Sequence, residues 1–151
     1  MNPQETHAAQ LAYWNSAAGA KWLTRQAETD AMLQVAQDAA IAQAAVAAGE
    51  VVLDIGCGCG ASTLALAARV GPGGRVMAVD VSEAMLARAK ERAKDLPQVE
   101  CLVADAAAHP FAPESFDLLF SRFGVMFFGD PAAAFAHLRK ALKPSGRVVF
   151  A

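Results

Sequence analysis

A doubly wound α/β domain with a mainly parallel sheet is the fold class this sequence predicts. Three observations carry that expectation. Five short β-rich runs follow one another after residue 50, helical segments separate them, and glycines crowd the first strand-to-helix turn. Strands alternating with helices need crossover connections, which make the sheet parallel and cover both of its faces. At 151 residues and 55% hydrophobic content, the chain has the size and the apolar content of one packed domain.

Residues 4–48 are rich in Ala, Gln and Leu at helical spacing and read as two helices, with Gly49 as the stop. Trp14 and Trp22, eight residues apart, then share one helix face. VVLDI (51–55) is the first strand and ASTLALAARV (61–70) the helix behind it. The turn signal GPGG (71–74) leads into a second strand, RVMAVDV (75–81). Ser82 is a good N-cap for SEAMLARAKERAKDL (82–96), a helix that keeps Met85, Leu86 and Ala89 on one side. VECLVAD (99–105) is the third strand and FDLLFSRF (116–123) the fourth. PAAAFAHLRKAL (131–142) is a helix opened by Pro131, and RVVFA (147–151) is the fifth strand after the turn KPSG. The organisation expected is an N-terminal helical cap or lid over 1–48 and a ligand-binding α/β domain over 49–151, together one structural unit.

Charge excludes one class of partner. The formal net charge is −2, and the 13 basic residues are scattered along the chain, whereas a nucleic-acid binder gathers them on one face. The N-terminus lacks the basic start and apolar core of a leader, and no apolar run reaches membrane-spanning length, so stable membrane insertion is not expected. Three cysteines do not make a disulfide framework, and a reducing cytoplasm is the expected setting.

The stretch VVLDIGCGCG (51–60) carries the chemistry. Cys57 and Cys59 alone supply half of a tetrahedral metal site. Cys101 lies on another strand, and His7, His109 and His137 have no ligand spacing with the pair. No metal is expected, and the cysteines read as small apolar residues in a cramped loop. Gly56, Gly58 and Gly60 stand at the first strand-to-helix turn, where a doubly wound sheet binds ligands. There glycine admits positive φ and exposes backbone N–H groups to an anionic ligand group. Asp80 follows Asp54 by 26 residues and ends the second strand, where a carboxylate can accept both hydroxyls of a ribose. A nucleoside-containing cofactor follows. Gly56 to Ala61 also satisfies the permissive dinucleotide pattern G-x-G-x-x-A, so a nicotinamide-dependent (NAD) oxidoreductase is a second reading. Asp54 tips the balance, because a carboxylate repels a pyrophosphate and attracts an amine and a sulfonium. The charge pattern favours S-adenosyl-L-methionine, with S-adenosyl-L-homocysteine as product.

The set DIGCGCG (54–60), the acidic end of MAVD (77–80) and VADA (103–106) resembles the successive binding motifs of class I S-adenosylmethionine-dependent methyltransferases. The resemblance is closest to the ubiquinone/menaquinone-biosynthesis-like group. It extends to YWN (13–15), FDLLFSRFGVMFF (116–128) and LRKALKPSGRVVF (138–150). It implies a Rossmann-like sheet of order 3-2-1-4-5, strands numbered in chain order, and a small-molecule methyl acceptor. It also implies residue roles. The backbone at Gly56 and Gly58, with Asp54 nearby, would hold the methionine portion, and Asp80 the ribose. Val81 and Met85 would pack on the adenine, Asp105 would accept from its exocyclic amine, and the Ala106 amide would donate to the ring. Ser121 and Arg122 would line the pocket near the methyl group, and the segment around Trp14 would close over the cofactor.

The family fold normally continues past the fifth strand with another helix and two strands, and the sequence ends inside that strand. This leaves an apolar edge that invites pairing with another chain, so a homo-oligomer is one expectation. A cofactor-binding fragment without turnover is the other. No catalytic side chain is assigned, since methyl transfer needs alignment and a dry site more than a protein nucleophile. His109 is the one base considered, with a structural role the stronger reading.

Overall fold

The computed structural model describes residues 2–151. Three helices come first, α1 (Pro3–Trp14), α2 (Ala17–Thr24) and α3 (Gln26–Ala44), where two were expected. The extra boundary lies at Asn15–Ser16. Ser16 is extended and its hydroxyl accepts from the Ala18 and Gly19 N–H groups, capping α2. Trp14 and Trp22 therefore sit on different helices and meet by packing, with ring centroids 5.8 Å apart, rather than by sharing one helix face. The stop also moves. α3 ends at Ala45 in the left-handed region, and Gly49 instead joins the following turn by donating to the Val70 carbonyl.

The alternating part follows the sequence closely: β1 (Val51–Ile55), α4 (Ala61–Val70), β2 (Arg75–Asp80), α5 (Glu83–Arg92), β3 (Val99–Val103), β4 (Phe116–Ser121), α6 (Pro131–Arg139) and β5 (Leu142–Phe150). The last strand is longer than expected. Leu142 already pairs with Phe116, and the KPSG segment is absorbed by a register shift between Phe116 and Leu118. The five strands form one parallel sheet of order β3-β2-β1-β4-β5.

Alternation across the central strands sorts the core into two layers. Val52, Val76, Leu118 and Phe120 pack with Ile41 and Ala44 of α3 and Leu66 and Val70 of α4. Leu53, Ile55, Phe116 and Leu119 face the other way, toward Leu138 of α6 and Ala141. Every residue of β1 after Val51 is buried, as a central parallel strand requires. Asp54 is thus the single charge inside an otherwise apolar strand, two residues short of the glycine loop.

Arg147 fastens β5 to the end of α3. Its guanidinium donates to both Glu50 carboxylate oxygens, at 2.8 and 2.7 Å, and to the Ala44 and Ala45 carbonyls that the helix end leaves open. β5 is an edge strand on which Val148 is 48% exposed.

Candidate functional site

A cavity of about 340 Å³ opens at the carboxyl ends of β1, β2 and β4 and is roofed by α1 and α3. Its floor is the glycine loop. The Gly56 and Cys57 N–H groups both donate to the Val79 carbonyl, which turns the chain sharply at the end of β1. Gly56, Gly58 and Gly60 all take positive φ, at 65°, 55° and 89°. Gly56 and Gly58 line the cavity. Gly60 does not: it begins α4, and a Cβ there would come within 2.9 Å of the Ala89 Cβ, so its smallness serves the packing of α4 on α5.

Asp80 is fixed from both sides. One carboxylate oxygen accepts from the Gly58 N–H at 2.7 Å and the other from the Ser82 N–H at 2.8 Å. An ionised carboxylate has about four acceptor positions, so each oxygen keeps capacity for a hydroxyl from the cavity side. Burial pushes the Asp80 carboxyl up from its ordinary value, opposed by the backbone N–H groups of Ser82, Gly58 and Val81. Beside it, Val81, Met85 and Ala106 form an apolar slot in the cavity wall.

Asp54 sits one layer deeper than the sequence implied. It is fully buried and not part of the cavity wall. The Ser62 and Thr63 hydroxyls donate to its Oδ2 at 2.8 and 2.7 Å, and Oδ1 has no partner among the described residues. Burial raises its pKa to about 6, against the opposing pull of Thr63, Ser62 and the Arg122 charge. Ser121 is likewise displaced from its expected place. It is fully buried, its hydroxyl donates to the Ile55 carbonyl at 2.8 Å, and it accepts from the Gly124 and Val125 N–H groups. Its work is to join the ends of β1 and β4, and its neighbour Arg122 is the one that faces the cavity.

Asp105 lines the opposite end, where it already has a partner. His7 Nε2 of α1 donates to its Oδ2 at 2.8 Å, and the Ala107 N–H holds Oδ1. Asn15 pins the other end of α1 by donating to the Val81 carbonyl at 2.9 Å and accepting from the Glu83 N–H. Between these two latches, Leu11 and Trp14 close over the cavity. Trp14 packs edge-on against Phe127, with centroids 5.1 Å apart. Trp22, Phe123, Met126 and Phe128 complete an apolar and aromatic wall.

Sequence reasoning missed His7, Asn15 and Gln37, whose hydrogen bonds span 66 to 98 residues of chain. His109 lies outside the cavity wall. Its ring meets Phe111 edge-on, and its carbonyl accepts from His137 Nε2. The three cysteines are free, and burial pushes the Cys57 and Cys59 thiols up, which keeps both protonated at neutral pH.

This geometry suits a nucleoside held at Asp80 with an amino-acid tail along the glycine loop. Residues 52–146 match a family model described as a methyltransferase domain. A 2-phytyl-1,4-naphthoquinone methyltransferase of Thermosynechococcus vestitus is 40% identical over 99 residues, 66% of this chain and 44% of that protein. A demethylmenaquinone methyltransferase of Staphylococcus aureus is 39% identical over 101 residues, 67% of this chain and 42% of that protein. Among solved structures, a phosphoethanolamine N-methyltransferase 2 of Haemonchus contortus, in complex with phosphomonomethylethanolamine and S-adenosylhomocysteine, superposes with a TM-score of 0.69. It is 34% identical, over 76% of this chain and 27% of that one. The chain spans less than half the length of the curated relatives it matches.

Proposed function

The chain belongs to the methyltransferase-domain family, and from that premise we propose that it binds S-adenosyl-L-methionine and takes part in methyl transfer to a small-molecule acceptor. The observation that carries the reading is the Asp80 carboxylate bound to the Gly58 N–H. It joins the group suited to a ribose diol to the loop suited to the rest of the cofactor. Two further features support the fit. A side chain at Gly58 would crowd the Met85 methyl in the cavity wall, and two buried polar atoms, Asp54 Oδ1 and Arg122 Nε, have no partner among the described residues.

When bound, the donor would supply a sulfonium-activated methyl group for in-line transfer to an acceptor nucleophile, the methyl–sulfur bond breaking to leave the neutral thioether S-adenosylhomocysteine. The protein's residues align and desolvate. Asp80 takes the ribose hydroxyls, Val81 and Met85 flank the adenine, and Asp105 and Ala106 address its polar edge. The buried negative charge of Asp54 lies below the loop and favours a cationic donor over its neutral product. α1, latched by His7 and Asn15, acts as a lid that keeps water out, and the Trp14, Phe127 and Met126 wall receives the acceptor. The cytoplasm is the proposed setting, supported by the three free thiols. Among the described residues, no helix is long and apolar enough to cross a membrane.

The test is calorimetric titration with S-adenosylhomocysteine and, separately, NAD, on the wild type and on Asp80→Ala. Saturable binding of the first alone, lost in Asp80→Ala, supports the reading. Binding of NAD alone would overturn it.

A further inference from the structure

Arg122 is a cation without a counter-ion. It faces the cavity from the end of β4, and no carboxylate among the described residues lies within ion-pair distance of it. Its Nη1 donates to Gln37 Oε1 at 2.9 Å, and its Nε is buried and unpartnered. The buried Asp54 carboxyl accepts from Ser62 and Thr63 instead. Gln37 is itself unusual, a 3% exposed amide on the core face of α3 beside Ala40 and Ile41. An apolar residue would suit that position, and the Arg122 contact gives the amide a role: it holds the guanidinium in one orientation. A partly buried cation with a neutral splint and an open edge is an incomplete ion pair.

We propose that Arg122, oriented by Gln37, is the cavity's carboxylate-receiving group, with the anion supplied by a ligand. Guanidinium presents five N–H donors in a plane and Gln37 engages one of them, so an edge is left for two-point contact with a planar oxyanion. Two sources share that chemistry: the α-carboxylate of the donor's amino-acid tail, and an acidic group on the acceptor. The inference rests on the methyl-donor reading, and the experiment separates the two.

The wild type, Arg122→Met, Arg122→Lys and Gln37→Leu are titrated with S-adenosylhomocysteine and with 5′-deoxy-5′-methylthioadenosine, the same nucleoside thioether without the amino-acid carboxylate. In parallel, each is titrated with 1-hydroxy-2-naphthoate and 1-naphthol, with and without saturating S-adenosylhomocysteine. Melting curves identify variants that fail to fold. If the donor supplies the anion, Arg122→Met weakens S-adenosylhomocysteine roughly ten- to hundredfold and leaves methylthioadenosine unchanged, with Arg122→Lys between. If the acceptor supplies it, that selective loss falls on hydroxynaphthoate and spares naphthol. Gln37→Leu should reproduce the selective loss in weaker form, as a positioning residue does. Equal loss of charged and uncharged probes by a folded Arg122→Met, or no loss at all, overturns the proposal. A wild type that binds neither nucleoside but binds hydroxynaphthoate through Arg122 would sink the methyl-donor reading and leave the carboxylate site standing.

Discussion

Gly56 and Gly124 pack backbone against backbone: a Cβ on Gly56 would come within 2.7 Å of the Gly124 Cα, closer than real side chains approach. The contact sets the loop after β4 directly on the loop after β1 and so shapes the cavity floor. Gly49 provides the comparison, because it has a similar positive φ of 86° but open space where its Cβ would lie. Gly49→Ala should cost only the left-handed backbone penalty, about 1–2 kcal/mol. Gly56→Ala should cost that plus the clash, about 3 kcal/mol or more, and lose S-adenosylhomocysteine binding as well. Urea unfolding of both variants decides it, and equal losses would refute the close-packing argument.

Asp54 and Glu50 should pull the pH dependence of stability in opposite directions. Burial raises the Asp54 pKa from 3.8 to about 6, so the folded state holds a proton that the unfolded state has released. The stability this contributes is full below about pH 4 and lost as pH rises to 6, on the order of 3 kcal/mol. Asp54→Asn removes the titration. The stability of that variant relative to wild type should therefore climb between pH 4 and 6 and stay level above, as read from unfolding curves at each pH. A flat difference would mean that Asp54 is ionised at its ordinary value.

Glu50 carries the reverse sign, because the Arg147 guanidinium holds its carboxyl below 4.5. Its contribution is present above that value and fades as pH falls through the folded one. Both groups keep partial solvent contact, with side-chain exposures of 20% and 33%, so the pair itself should couple by only about 1 kcal/mol in a double-mutant cycle. Arg147→Ala should cost more than Glu50→Gln, since it also uncaps Ala44 and Ala45. Equal losses would deny the helix-end contacts any weight.

On the proposed function, the His7–Asp105 bond makes the Asp105 end of the cavity a point of competition. An adenine amine directed at Asp105 meets an acceptor already engaged by α1. Hydrogen exchange should find α1 opening more often in His7→Ala than in wild type, with the sheet unchanged. Nucleoside binding should survive that substitution within about tenfold, while Asp105→Ala should reduce it further. Exchange in α1 that does not respond to His7→Ala would refute the latch.

The limits of β1 and α4 matched the sequence because glycines bracket both and periodicity is strong between them. The strand order was implied by the family resemblance rather than by any local signal. What sequence reasoning left open depends on contacts that only the fold brings together. Asp54 reads as a ligand-facing carboxylate until Ser62 and Thr63 are seen donating to it. Ser121 reads as pocket lining until its hydroxyl is found tying β4 to Ile55. The helix break at Asn15 was locally visible in the Ser16 cap, whereas the reason for Asn15 itself lies at Val81. Helix α5 stops at Arg92, short of the expected 96, because Ala93 and Leu96 close successive turns that lead into β3.

The carboxylate of Asp80 is also a spring between two halves of one ligand. Because it grips the Gly58 amide while facing the proposed ribose position, a nucleoside that settles on it should stiffen the loop proposed to take the amino-acid half. By thermodynamic reciprocity the converse holds, and an amino-acid fragment resting on the loop steadies the carboxylate for the nucleoside. Adenosine and homocysteine offered as separate molecules should therefore bind with positive cooperativity, each raising the affinity of the other although no bond connects them.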